Sequence, residues 1–222
     1  MTIEAYKFDW RDYGAVNIVK NREFCRSDWA FVATGVLESQ VYIKTGRSVS
    51  LSEQNLIDCS YIYGNNGCSG GHLTYSFEYI FKNDGINYEL NYPYEGEERF
   101  WCRFNSSLPK ITINDWKVFY LNGNEDHLKK LLKSIGPLGI AINLQNSFYK
   151  YKNGIYYEPN CTNFIDYYVL LVGYGTDKNL SEDYWIIKNS MGTDWGENGY
   201  MRLARNKNNH CGVANYVSFV IM

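Results

Sequence analysis

A run of residues with no polar face has to be buried on every side, and this chain carries one near its start. Trp29, Ala30, Phe31, Val32 and Ala33 follow a polar loop at 21–28. Apolar residues recur at 29, 32, 33, 36 and 37, which is helical spacing. The first two turns are apolar nearly all round, so the pattern predicts a helix through the middle of the protein. Ser27 is the expected N-cap. Asp28 then becomes the first helical residue, where the helix dipole favours a negative charge. With 222 residues the chain can bury one large core or two smaller ones around this helix.

Charge and composition exclude several classes of function. The formal net charge is −2, with acids and bases interspersed, so neither a nucleic-acid partner nor an anionic membrane is implied. No apolar stretch approaches the roughly 18 residues of a membrane span, and membrane insertion is not expected. The 21 tyrosines read as half-buried β structure with polar tips, the alternative being a tyrosine-rich binding face. The six cysteines, at 25, 59, 68, 102, 161 and 211, suit three disulfides in a secreted or lumenal protein. Spacing leaves all fifteen pairings open. Zinc is the alternative, but no Cys-x-x-Cys pair exists and only three histidines are present. No metal and no cofactor are therefore expected. Sequons at Asn105, Asn160 and Asn179 also favour the secretory pathway. Met1-Thr-Ile-Glu-Ala-Tyr has no apolar core and is not a signal peptide.

The loop and helix around Cys25–Phe31 resemble the active-site segment of papain-like cysteine proteases, of the cathepsin L-like kind. The family pattern is Lys-Asn-Gln-Gly-x-Cys-Gly-Ser-Cys-Trp-Ala-Phe, and the frame is kept at Lys20, Asn21, Cys25, Ser27, Trp29, Ala30 and Phe31. Further matches are Asp9-Trp10-Arg11 with Gly14 and Val16, Leu51 through Cys59, Asn66 through Gly71, Tyr92-Pro93-Tyr94, residues 163–175 and residues 184–200. The resemblance covers essentially the whole chain. It implies an α+β, two-domain, papain-like fold, with a helical left domain, a β-barrel-like right domain and a cleft between them. The expected segments are a strap at 1–12, the left domain at 13–111, the right domain at 112–215 and a C-terminal strand or strap at 216–222. The resemblance also implies the disulfides Cys25–Cys68, Cys59–Cys102 and Cys161–Cys211. The family is made with a signal and an inhibitory propeptide, which are expected to have been removed or to lie outside this sequence.

Individual elements can be read from the residues. Ser52 caps a short helix stapled by Leu51 and Leu56. A helix is expected at about 73–83, and strand formers fill 111–120. Asn124 caps an amphipathic helix with Leu128, Leu131, Leu132 and Ile135 on one face. Strands follow at about 138–144, 167–174, 183–189, 199–204 and 216–221.

A cysteine protease needs a thiolate, a base that keeps it ionised and a group that orients the base. In the aligned frame the nucleophile position holds Asp28, the base position Tyr167 and the oxyanion-hole position Arg22, while the orienting asparagine survives as Asn189. A one-residue shift brings in only Asp166 or Tyr168, and His127 and His210 lie outside the matching motifs. The expectation is therefore a catalytically inactive homologue, a pseudoprotease and not an enzyme. Arg22, Asp28 and Tyr167 are expected to form a closed polar cluster, with Tyr167 donating to Asp28 and Arg22 as its cationic partner; the alternative is that each side chain is separately solvated. The resemblance implies cleft walls from Gly70, Gly71, Leu73, Ala141, Ile165, Asp166, Met191 and Trp195, and a monomer that binds a peptide or protein in that cleft. Two alternatives stay open: a residual hydrolase using Asp28, and a structural or storage protein built on the disulfide-bonded scaffold.

Overall fold

The computed structural model describes residues 7–99 and 101–222. The first six residues of the expected strap thus lie outside the described residues. The chain enters as a short strand, β1 (Lys7–Asp9), followed by the central helix α1 (Asp28–Thr45). Of the 18 residues of α1, 12 are buried, Trp29, Ala30, Val36 and Leu37 almost completely. The cap differs from expectation. Ser27 occupies the N-cap position but makes no side-chain capping bond. Its hydroxyl instead lies 3.2 Å from the Tyr94 hydroxyl, because a fully buried serine at an interface satisfies whichever partner packing brings closest.

Two further helices, α2 (Glu53–Cys59) and α3 (Leu73–Lys82), pack on α1. Ser52 does cap α2: its Oγ accepts from Asn55 N at 2.9 Å and donates to the Tyr92 carbonyl. Ser52 is fully buried, so Ser52→Ala leaves two backbone groups without a partner. A loss of about 1–2 kcal/mol is expected in urea unfolding; a change within error would show that water replaces the hydroxyl. A two-stranded ladder, β2 (Ile86–Asn87) with β3 (Lys110–Ile111), closes this half.

The remaining elements are β4 (Asp115–Tyr120), α4 (Glu125–Ile135), β5 (Leu138–Ile142), α5 (Asn146–Tyr149), β6 (Ile155–Tyr156), β7 (Tyr167–Asp177), β8 (Glu182–Lys188), β9 (Tyr200–Ala204) and β10 (Tyr216–Ile221). The expected strand at 111–120 is split, because its two ends pair with different partners: Ile111 with Ile86, and β4 with β10. Asn124 caps α4 by accepting from His127 N, and Leu128 and Leu132 of that helix are fully buried.

Eight strands form one sheet in the order β4-β10-β5-β7-β8-β9-β6, with β1 added to β7. The C-terminal segment is a strand, β10, which sits between β4 and β5 inside the sheet. β1 reaches β7 because Gly173 has no side chain: a Cβ there would lie 2.5 Å from the Phe8 carbonyl oxygen. α1 runs against β7, with the bare backbone of Gly35 facing Leu170. The helical half and the sheet thus share the buried helix predicted from its apolar surface, and the N-terminus of α1 meets the start of β7.

Candidate active site

All six cysteines are paired, as Cys25–Cys68, Cys59–Cys102 and Cys161–Cys211. The first bridge ties the loop before α1 to the glycine loop before α3, and the Arg26 N–H donates to the Cys68 carbonyl beside it. The glycine loop is built for close approach. Gly70 has φ +126°, and a Cβ on Gly71 would lie 2.6 Å from both the Trp29 ring and Asn65 Oδ1. Asn65, itself buried, accepts from His72 N and donates to Ser60 Oγ and Ser76 Oγ, tying the loop to the end of α2 and to α3.

Asp28 opens α1 at the junction of the two halves. Its Oδ2 accepts from Tyr168 N at 3.0 Å, a bond from the first turn of a helix to the start of the sheet. Burial pushes the carboxyl up to about 6, against the opposing influence of the Tyr168 N–H and of the Arg22 charge. Tyr167 begins β7 and is buried; its hydroxyl donates to Asn189 Oδ1 at 2.8 Å. Burial, and next the Asp28 charge, hold that phenol well above its ordinary range. Arg22 donates from Nη1 to the Cys25 carbonyl at 2.8 Å, and its guanidinium carbon lies 5.8 Å from the Tyr167 ring centre. Arg22 Nε is buried without a hydrogen-bond partner.

The three replacement residues are therefore neighbours, but the expected closed cluster does not form. Tyr167 turns to Asn189 and Arg22 to a carbonyl, while Asp28 takes a backbone N–H. Arg22 still acts electrostatically on both Tyr167 and Asp28, so the three form a loose charged group in which Asp28 stays half-buried.

The expected cleft residues divide into groups. Gly71, Ala141, Ile165 and Asp166 line a cavity of about 200 Å³, together with His72, Tyr120, Tyr167, Tyr168 and Tyr216. Leu73 is fully buried in the first turn of α3. Met191 forms an isolated bridge with Asn21, which brackets Arg22. Trp195 is buried against Phe148 and Tyr151 and donates from Nε1 to the Phe148 carbonyl. Asn105, Asn160 and Asn179 are all exposed.

Four residues of the pocket escape the sequence reading: His72, Tyr120, Tyr168 and Tyr216. The histidine is a correction, because His127 and His210 are the ones a linear search considers. Folding instead carries His72 to 2.6 Å from the Tyr168 hydroxyl, 96 positions away. Its place directly after the Gly70-Gly71 pair is a usable signal; nothing in the sequence marks Tyr120 or Tyr216. His210 lies with Cys161 and Cys211 in a group within 4.8 Å, but those two sulfurs are bonded to each other and are not thiolate ligands.

A helix N-terminus facing the start of an inner sheet strand, with a glycine loop beside it, is the arrangement of a papain-like enzyme. The model of the papain family cysteine proteases matches residues 5–221, and the chain belongs to that family. Within it the chain is cathepsin L-like. It is 50% identical over 216 residues to a cathepsin L-like peptidase of Aedes aegypti and 48% identical over 213 residues to a cathepsin L of Sarcophaga peregrina. Those matches take in 96% and 95% of this chain, which spans 63% and 62% of the two relatives' own length. The structure of digestive procathepsin L2 proteinase from Tenebrio molitor larval midgut superposes with a TM-score of 0.92 at 38% identity, over 98% of this chain and 68% of that one.

These matches establish the expected papain-like α+β fold and overturn the expectation that the chain is not an enzyme. Relatives sharing about half of its residues are named as peptidases and cathepsins, and they point to an enzyme. The inference from two replaced side chains equates a missing thiol and imidazole with missing chemistry. A titratable carboxyl with the Arg22 charge beside it stands at the same place.

Proposed function

We propose that this protein is a cathepsin L-like hydrolase that binds extended peptide in the cleft and acts on it through the Asp28 carboxyl. One observation carries the reading: the Asp28 carboxyl, half-buried and pushed up to about 6, stands at the N-terminus of the central helix and accepts from Tyr168 N at the start of β7. A base with that pKa is half ionised in mildly acidic solution, where general-base catalysis is efficient. Ionised Asp28 takes a proton from a water molecule as that water attacks the scissile carbonyl carbon. The Arg22 guanidinium, whose charge already acts on Asp28, favours the developing oxyanion electrostatically. When the C–N bond breaks, the proton held by Asp28 passes to the leaving amine. Asn189 and Tyr167 hold each other beside this site and contribute no proton.

The same reading keeps the left and right domains at 13–111 and 112–215. The protein is a monomer, with sugar on its exposed sequons, in an oxidising compartment that suits three disulfides.

Fluorogenic dipeptide amides and aryl esters test the proposal. The expected kcat/KM rises with pH through a midpoint near 6, falls at least about a hundredfold in Asp28→Ala, and is untouched by a thiol-directed epoxide, since no cysteine is free. Turnover that survives Asp28→Ala, or that the epoxide abolishes, would overturn the assignment. So would the absence of turnover in pure protein that still binds peptide.

A further inference from the structure

Across the wall from Asp28 the cleft opens into the 200 Å³ cavity, and its lining is aromatic and polar as well as apolar. Ala141 and Ile165 supply an apolar floor, but the sides are aromatic. Tyr168 and Tyr216 stand at 70° to each other with ring centres 5.8 Å apart. Tyr120 and Tyr216 stand at 71° and 5.9 Å, and His72 and Tyr168 at 72° and 5.7 Å. In an edge-to-face pair the edge of one ring lies on the face of its neighbour, and a ring face carries partial negative charge; Tyr168 and Tyr216 keep 8% and 3% of their surface open.

The polar atoms point the same way. None of the residues lining the cavity is a lysine or arginine. Asp166 lines it, is exposed, and takes one hydrogen bond, from Leu144 N to Oδ1. The Tyr168 hydroxyl is committed to His72 Nδ1, and the Tyr216 hydroxyl lies 3.3 Å from Thr74 Oγ1. Burial lowers the His72 pKa, so the imidazole is neutral near pH 7 and adds no positive charge. Behind the wall, the Asp28 carboxyl accepts from Tyr168 N. An anionic side chain entering this space would meet the Asp166 carboxylate and no lysine or arginine in the lining. An aliphatic one would leave the carboxylate at the pocket unpaired.

We propose that this tyrosine-walled pocket is a binding site for a cationic side chain, that of lysine, methylated lysine or arginine, presented by a peptide lying in the cleft. The assignment rests on the reading of the cleft as a peptide site and names the residue that it selects. The stem of the side chain packs on Ala141 and Ile165, its charged head meets the faces of Tyr168 and Tyr216, and Asp166 supplies the counter-charge. Cation–aromatic contact in a partly dry site, with a carboxylate nearby, is sufficient for about tenfold discrimination against an uncharged side chain of similar length.

Calorimetric titration with the acetylated, amidated tetrapeptides Ala-Xaa-Ala-Ala tests this. Xaa is lysine, trimethyllysine, leucine or glutamate, and mass spectrometry monitors peptide integrity. Lysine and trimethyllysine are expected to bind at least about tenfold more tightly than leucine, with glutamate weakest. Tyr168→Leu is expected to abolish the preference for both cations. Asp166→Asn, an exposed change that should not affect folding, is expected to weaken lysine severalfold relative to leucine. Equal affinity for leucine and lysine, or a lysine preference that survives both substitutions, overturns the pocket assignment while leaving peptide binding in place. If none of the four peptides binds, the peptide-cleft reading fails, and the assignment with it.

Discussion

Lys20→Met is expected to lower the unfolding free energy by about 3–5 kcal/mol, the usual cost of removing one partner from a buried ion cluster. Lys20 Nζ lies 2.7 Å from Glu53 Oε1 and 3.3 Å from Glu38 Oε1, and it also donates to the Leu51 carbonyl at 3.0 Å. Both glutamates are buried, at 1% and 3% exposure, which is why the amine cannot be replaced by water. Thr34 Oγ1 donates to Glu53, and Leu51 N donates to Glu38. The cluster therefore locks α1, α2 and the loop before α2 to one another.

Without the amine, the two carboxylates share a dry space with only the Lys188 amine, whose pKa burial lowers to about 8 while Glu38 and Glu53 oppose the drop. Burial already raises the Glu53 pKa, with Glu38 adding to the rise and Lys20 opposing it. Loss of Lys20 removes the opposing influence. A carboxyl whose folded pKa lies above its unfolded value costs stability as pH rises, so the deficit should be larger at pH 8 than at pH 5. Urea denaturation at both pH values measures it, and Lys20→Met/Glu53→Gln should recover part of the loss. A deficit under about 1 kcal/mol at pH 8 would mean that the cluster is not energetically closed.

Asp28→Asn is expected to stabilise the protein at neutral pH by about 2 kcal/mol while removing the activity assigned to Asp28. The folded carboxyl titrates at about 6, above the unfolded value of 3.8. Between those values the folded state holds the proton that the unfolded state has released. Stability therefore falls as pH rises from about 4 to 6 and is level above that. The amide oxygen of the substituted asparagine can accept from Tyr168 N as the carboxylate does, without a charge to desolvate. The two proteins should then melt together near pH 4 and diverge by pH 7. Parallel melting curves across that range would show that Asp28 is solvated and its pKa ordinary. A stabilised and inactive variant is the usual mark of a functional group held at a cost to the fold.

Much of this architecture is legible in local pattern. A helix apolar on all sides could only be central, and α1 is. Ser52 and Asn124 announce α2 and α4 because a cap is a contact between residues three apart. Ser27 fails as a cap because Tyr94, 67 residues on, supplies a competing partner. The strand-rich stretch at 111–120 is visible as such, but its break is not, since that depends on pairing with Ile86 on one side and β10 on the other.

At the site the division is sharper. That Asp28, Tyr167 and Arg22 stand where a thiol, an imidazole and an oxyanion donor are expected follows from aligned motifs alone. Their partners do not. Asn189 for Tyr167, Tyr168 N for Asp28, and His72 for the Tyr168 hydroxyl are contacts across 22, 140 and 96 positions.

Residue order thus settled the elements that spacing, caps and polarity encode over a few turns of chain, and through them the family. Which hydrogen bonds each replaced side chain makes, how far burial raises the Asp28 carboxyl, and that four tyrosines and a histidine enclose one pocket were decided by packing. Those properties depend on distance and solvent access between segments far apart in the chain, quantities that exist only once α1 and the sheet have closed on each other.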